Sequence, residues 1–190
     1  MKKLFLLLFF CSPAFAAAPF PKEKRQDYVK HALAATLSAP KQTLDNLYQF
    51  VTMVEQSSCR SAFDALTLSC LQDQVQRNCR SQGGNCPLLS DVIVVNKLNE
   101  KQFVTREERV QIMKQEGTGN YAAIYSRLVS RKYALLATEL LLLQKRTCRP
   151  EEHACLAREL DDYCIQNSDV KNIPWQACVS AIIWYIGVNR

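Results

Sequence analysis

The sequence predicts an all-α fold, a single-domain helical bundle of about six to eight helices cross-linked by up to four disulfides. Helical periodicity recurs along the whole chain, and its 190 residues include only five glycines and seven prolines to interrupt it. Eight cysteines remain once the first sixteen residues are set aside, an even number that suits disulfide pairing. Helix-capping residues recur where the periodic segments begin and end.

The N-terminus has the three parts of a secretory signal peptide. Lys2 and Lys3 follow the first methionine, and residues 4–10 are apolar without a break. Ala14-Phe15-Ala16 is an A-x-A cleavage site. We therefore expect residues 1–16 to be removed and residues 17–190 to work as one domain, periplasmic or secreted, of a bacterial protein. Cys11 would leave with the signal peptide, because the bulky residues before it do not suit a lipoprotein anchor.

The helices of the first half follow from periodic apolar residues. Residues 23–37 and the segment after Pro40 predict the first two helices, and a third runs from Cys59 to Cys79. A Gly-Gly turn then breaks the chain. Residues 92–95 are β-branched enough for a strand, but no partner strand is found, so we predict a short helix there.

Capping residues assign the helices of the second half. Thr105 and Glu108 form a capping box, and Gly117 supplies the left-handed residue that ends the helix they begin. A longer helix follows this glycine. Pro150 and Pro174 start the last two helices.

The remaining cysteines form two groups of four, and an oxidising compartment favours disulfides over free thiols. They are Cys59, Cys70, Cys79, Cys86, Cys148, Cys155, Cys164 and Cys178. Residues nine apart on one helix point to opposite sides and lie about 13 Å apart, too far for a disulfide. This argues against Cys70–Cys79 and Cys155–Cys164. Cys79–Cys86 would close a turn and Cys164–Cys178 would tie neighbouring helices, which would leave the other four cysteines to join the two halves.

Charge and composition restrict the classes of partner. Without the signal peptide the chain has 22 basic and 18 acidic residues, a net +4 with no block of five like charges. Nucleic acid binding would need a clustered basic stripe, so we expect none. Beyond the signal peptide no apolar run reaches the roughly 18 residues that a transmembrane helix needs.

No cofactor, metal or catalytic residue is predicted. The chain has two histidines, His31 and His153, and lacks the C-x-x-C spacing typical of zinc or thiol redox sites. Cys148, His153 and Cys155 have the chemistry of zinc ligands, but their thiolates would have to escape oxidation. The nucleophile-elbow, zinc-protease and P-loop motifs are absent from the sequence.

Carboxylates alone would suffice for a glycosidase. The candidates are Glu116, beside a glycine-rich turn, and the adjacent pair Asp161 and Asp162. A position at a helix end explains Glu116, and a polar helix face explains Asp161 and Asp162. We therefore expect a binding protein in preference to an enzyme.

Tyr121 and Tyr125 begin the first candidate binding feature, an apolar stripe along the helix that follows Gly117. At 100° per residue the stripe also contains Lys132 and Glu139, and charges at such positions are costly unless paired. Its other members are Leu128, Leu135, Leu136, Leu142 and Leu143. Two interpretations remain open. One is a polar spot in an apolar binding cleft; in the other the stripe is an exposed edge, or Lys132 snorkels to the surface and Glu139 meets a basic residue on another helix.

Trp184 is the second candidate, since it lies on the opposite side of the last helix from the face that carries Trp175. An exposed tryptophan there would be a binding anchor. The alternative is a helix that is apolar all round and buried on every side.

These features predict an exported helical binding protein of inhibitor, immunity or envelope-assembly type, with a protein partner in the envelope or the extracellular space. One alternative is a small carboxylate-dependent hydrolase acting on cell-wall glycan, and another is a carrier of an apolar ligand. A cleft with two converging carboxylates would favour the hydrolase, an enclosed apolar cavity the carrier, and an exposed apolar patch the binding protein.

Overall fold

Seven α-helices form the computed structural model, which describes residues 21–59, 64–80, 86–148, 152–171 and 173–189. After a short 3-10 helix, Lys22–Lys24, they are α1 (Arg25–Ser38), α2 (Lys41–Ser57), α3 (Asp64–Arg80), α4 (Cys86–Phe103), α5 (Arg106–Thr147), α6 (His153–Lys171) and α7 (Trp175–Val188). The all-α prediction is confirmed, because no strand occurs in these ranges and residues 92–95 are helical. They lie in the 18-residue α4, however, and not in the short helix that was expected. The predicted signal peptide lies outside the described residues.

Local sequence signals set the helix starts as expected. Pro40 and Pro174 are the residues immediately before α2 and α7. The capping box is present at the start of α5: the Thr105 N–H donates to Glu108 Oε2 at 2.9 Å, and the Glu108 N–H donates to Thr105 Oγ1 at 3.2 Å. These reciprocal bonds satisfy two backbone donors that a helix start leaves without partners.

Gly117 divides α5 into two helical segments, here called α5a (residues 106–116) and α5b (residues 118–147). Its φ of 63° and ψ of −173° lie in a region that is essentially restricted to glycine. Lys132 Nζ lies 2.9 Å from Glu108 Oε1, although a straight helix would separate these residues by about 36 Å. The chain therefore turns back at Gly117, and α5a and α5b form a helical hairpin.

The last helix, α7, is the centre of the core. It packs against α1, α2, α4, α5 and α6. Ten of its fourteen residues are buried, so it is apolar on every side. Gly187 allows α1 to approach closely, because a Cβ at this position would lie 2.5 Å from Thr36 Cγ2. These five helices surround α7, and α3 packs outside them against α2 and α4.

All eight cysteines described by the structure are paired. The disulfides are Cys59–Cys70, Cys79–Cys86, Cys148–Cys155 and Cys164–Cys178, with Cα atoms 5.5–5.8 Å apart. The two pairs favoured by the sequence are present, and neither pair that helix geometry argued against occurs. The expectation that the other four cysteines join the two halves is wrong.

The physical reason for this correction lies at the helix ends. Cys59 lies just beyond α2 and Cys148 just beyond α5, so neither shares a helix with the next cysteine along the chain. Each can therefore reach its neighbour on the following helix. In the described part of the chain, no helix is both long and apolar enough to cross a bilayer.

Candidate interaction surface

Tyr121 and Tyr125 lie together near the start of α5b, with ring centroids 5.7 Å apart and an interplanar angle of 21°. Both side chains are partly buried. Burial, with a smaller effect from the negative charge of Glu100, raises the pKa of Tyr125 to about 12.

Lys132 and Glu139 are each satisfied by a separate partner. Lys132 forms the ion pair with Glu108 of α5a, and both side chains are about one-third exposed, at 35% and 31%. Glu139 is exposed and accepts a hydrogen bond from the Tyr163 hydroxyl of α6. The stripe is thus an exposed edge only in part, because Leu135 and Leu142 are exposed and Leu136 is buried. The partner of Glu139 is a tyrosine and not the basic residue expected.

The buried face of α5b differs from the predicted stripe. It consists of Val129, Tyr133, Leu136, Ala137 and Leu140, centred about 100° around the helix axis from Tyr121. Leu135 and Leu142, by contrast, are 55% and 57% exposed. The helix therefore has a second apolar face, which is half-buried at Tyr121 and Leu128 and exposed at Leu135 and Leu142.

Trp184 is part of the core. It is only 9% exposed, and its ring stacks on Tyr48 of α2 with centroids 4.9 Å apart at 22°. The burial alternative therefore describes this residue. An anchor role, which requires exposure, does not fit Trp184 in this fold.

The candidate carboxylates differ in burial and in hydrogen bonding. Asp161 is buried and accepts a hydrogen bond from Trp175 Nε1 at 2.8 Å, and burial raises its pKa. Asp162 is exposed, and the side chain of Glu116 lies outside the described residues. The hydrogen bond of Asp161 thus links α6 to α7.

The potential metal ligands are also accounted for. The sulfurs of Cys148 and Cys155 lie close to a carboxylate oxygen of Glu159, all within 4.8 Å, but these sulfurs are bonded to each other. A disulfide has no thiolate to offer a metal. Both His31 and His153 are exposed.

A largely buried contact between two titratable side chains of α4 was missed by the sequence reasoning. Lys97 Nζ lies 3.0 Å from Glu100 Oε2 and 5.4 Å from the ring centroid of Tyr48. Burial raises the pKa of Glu100 to about 8 and lowers that of Lys97. The signal was an i, i+3 pair of opposite charges that closely follows the apolar run of residues 92–95.

The exposed apolar side chains are concentrated on α5. Six large apolar side chains are strongly exposed among the described residues, and five of them belong to this helix. These five are Val110 and Met113 of α5a and Leu135, Leu141 and Leu142 of α5b. The sixth is Met53 of α2. The sequence stripe included Leu135 and Leu142 but missed the residues of α5a.

The positive charge is also concentrated on α5. This helix has eight basic and four acidic residues, so its net charge of +4 equals that of residues 17–190 as a whole. On α5a, Arg106, Arg109 and Lys114 line an open groove together with Val110 and Met113. We call the exposed side of α5a and α5b the α5 surface; it is both apolar and basic.

No protein-family model, curated protein or solved structure matches this chain significantly.

Proposed function

We propose that this protein is an exported helical binding protein whose protein partner docks on the α5 surface. The observation that carries the proposal is that five of the six strongly exposed large apolar side chains among the described residues lie on this one helix. Export is supported by the A-x-A site in the sequence and by the four disulfides, which suit an oxidising compartment.

Exposed apolar surface is costly in water, at about 25 cal/mol for each Å². A concentration of it on one element, bordered by charged residues, is typical of a surface that another macromolecule covers. The α5 surface has these properties, because exposed Leu135 lies one helical turn after exposed Arg131. A role in inhibition, immunity or envelope assembly would use such a surface.

Because α5 contacts the core through one face, its other face remains open to a binding partner. α5 packs against α4, α6 and α7 through its buried face. The Lys132–Glu108 ion pair links α5a to α5b. Partner binding therefore requires no opening of the core.

Site-specific photo-crosslinking in the native cell envelope tests the proposal. A crosslinking amino acid at Leu142 should give a discrete protein adduct, and an excess of unlabelled wild-type protein should abolish it. The matched control is Met53, which is also 57% exposed but lies on α2. Adducts that form equally from both positions, or only from Met53, would refute the α5 surface as the docking site.

A further inference from the structure

α5b has a seven-residue repeat on its exposed side. Tyr121, Leu128, Leu135 and Leu142 follow one another at intervals of seven. Ile124, Arg131 and Thr138 lie three residues after the first three of them. This alternation of three and four residues follows the a/d spacing of packed helices, with aromatic or aliphatic residues at five of the seven positions and Arg131 and Thr138 at the other two. We call these seven residues the heptad seam.

The heptad seam faces away from the core for most of its length. Arg131, Leu135, Thr138 and Leu142 are exposed, whereas the three residues nearest the hairpin turn are half-buried. The face that the core uses lies on the opposite side of α5b and is centred on Tyr133 and Leu140. The exposed part of the seam, from Arg131 to Leu142, is about 16 Å long, enough to pair with a helix over about three turns.

The charges along the heptad seam are basic. Arg131 occupies a seam position, and Arg127 lies on its outer flank; both are exposed. The acidic groups nearby have partners within the chain, because Glu108 pairs with Lys132 and Glu139 accepts a hydrogen bond from Tyr163. A complementary helix would therefore need to supply carboxylates opposite the two arginines.

A second copy of this chain does not supply these carboxylates. Parallel pairing of two seams would place Arg131 against itself and Arg127 near Lys132 of the other copy. Antiparallel pairing would place the outer flank of one copy, formed by Arg127, Ala134 and Leu141, against the same flank of the other copy. This flank has no acidic residue. Both arrangements leave the arginines uncompensated, which disfavours self-association.

We propose that the heptad seam binds an amphipathic helix of another protein, with apolar residues at its a and d positions and acidic residues beside them. This inference rests on the proposed function and specifies the class of partner. The leucines supply the apolar contact, and the two arginines select an acidic helix over a basic one.

Two synthetic peptides of three heptads test this inference. Both have leucine at the a and d positions, and their flanking positions are glutamate in one and lysine in the other. In fluorescence anisotropy, the wild-type protein should bind the glutamate peptide at least tenfold more tightly than the lysine peptide. The double variant Arg127→Glu, Arg131→Glu should reverse this preference.

Leucine and control variants complete the experiment. Leu135→Asp should weaken binding of the glutamate peptide at least tenfold while the far-UV circular dichroism and melting temperature stay close to wild type, because the side chain is exposed. Met53→Asp on α2 should bind as wild type does. Equal affinity for both peptides, or full binding by Leu135→Asp, would overturn the inference.

Other possible partners of the heptad seam would give different experimental results. A dimer in sedimentation experiments that Leu135→Asp dissociates would assign the seam to a second copy and overturn the inference. Binding to anionic phosphatidylglycerol vesicles with no preference between the peptides would also overturn it. If neither peptide binds but Leu142 still crosslinks to a partner in the envelope, the proposed function stands and the helical partner is wrong.

Discussion

Buried polar side chains join the helices of this protein through specific pairs. Asp91 of α4 accepts hydrogen bonds from the Tyr28 hydroxyl of α1 and from Gln72 Nε2 of α3, the latter at 3.1 Å. Asp161 similarly joins α6 to Trp175 of α7. Burial raises the pKa of both carboxyl groups. Such bonds compensate for the cost of removing polar groups from water, and they fix which helices are neighbours.

Glu100 gives a pH dependence that can be measured. Burial raises its pKa from 4.5 to about 8, so the folded protein holds this proton more tightly than the unfolded chain does. The stability from the neutral carboxyl group is fully present below pH 4.5 and is lost as the pH rises through about 8. Glu100→Gln should therefore become more stable relative to wild type, by ~1–4 kcal/mol, between pH 5 and pH 8.

Urea unfolding of both proteins at the two pH values measures this difference, with Glu107→Gln as the exposed control on α5a. A Glu100→Gln variant whose unfolding free energy follows the same pH dependence as wild type would contradict the prediction.

At the scale of elements, α5b shows what periodicity can and cannot predict. The sequence correctly indicated a long apolar helix after Gly117, because capping and periodicity are local signals. It did not indicate which of two apolar faces meets the core: Leu135 and Leu142 on one, or Leu136 and Leu140 on the other. That choice depends on how α6 and α7 pack against the helix, which is a tertiary property.

The partner of Lys132 was beyond sequence reasoning for a related reason. Glu108 reaches it only because the chain reverses at Gly117, and no spacing rule for a single helix relates two residues across such a turn. The binding role of Tyr121, Tyr125, Lys132 and Glu139 stays a prediction. Lys132 and Glu139 now have structural partners, and Tyr121 belongs to the heptad seam.

The hairpin turn is tested by a pair of glycine variants. Gly117→Ala should destabilise the protein by ~1–3 kcal/mol, because alanine is strained at a φ of 63°. Gly119→Ala, two residues away in open space within the helix, should be neutral or stabilise by up to ~1 kcal/mol. Urea denaturation of both variants measures the two free energies. Equal effects of the same sign would contradict a special conformation at Gly117.

At the scale of the whole molecule, the disulfides close the junctions between successive helices. They connect α2 to α3, α3 to α4, α5 to α6 and α6 to α7. Two of the four pairs were predictable, since a turn or a neighbouring helix brings each pair together. The other two depend on where α2 and α5 end, and helix ends are the least predictable part of a helix.

Peptide mapping without reduction should recover the four observed disulfides and no free thiol. Removing one of them, for example with Cys148→Ser and Cys155→Ser together, should lower the free energy of unfolding by ~2–3 kcal/mol, because each closes a short loop. Cys11→Ser is the control: it should leave the mature protein unchanged, since that residue is expected to depart with the signal peptide. A peptide that links the two halves of the chain would contradict the structure.

The order of the pairs has a consequence for biogenesis. Each disulfide joins two cysteines that are consecutive along the chain. When such a polypeptide crosses a membrane N-terminus first, the second cysteine of each native pair is therefore the next one to emerge after the first. A thiol oxidase that joins cysteines in the order of their appearance would therefore make only native bonds, and no wrong pair would need reshuffling by thiol–disulfide exchange. Maturation of this protein should depend on an oxidase and be indifferent to loss of a disulfide isomerase.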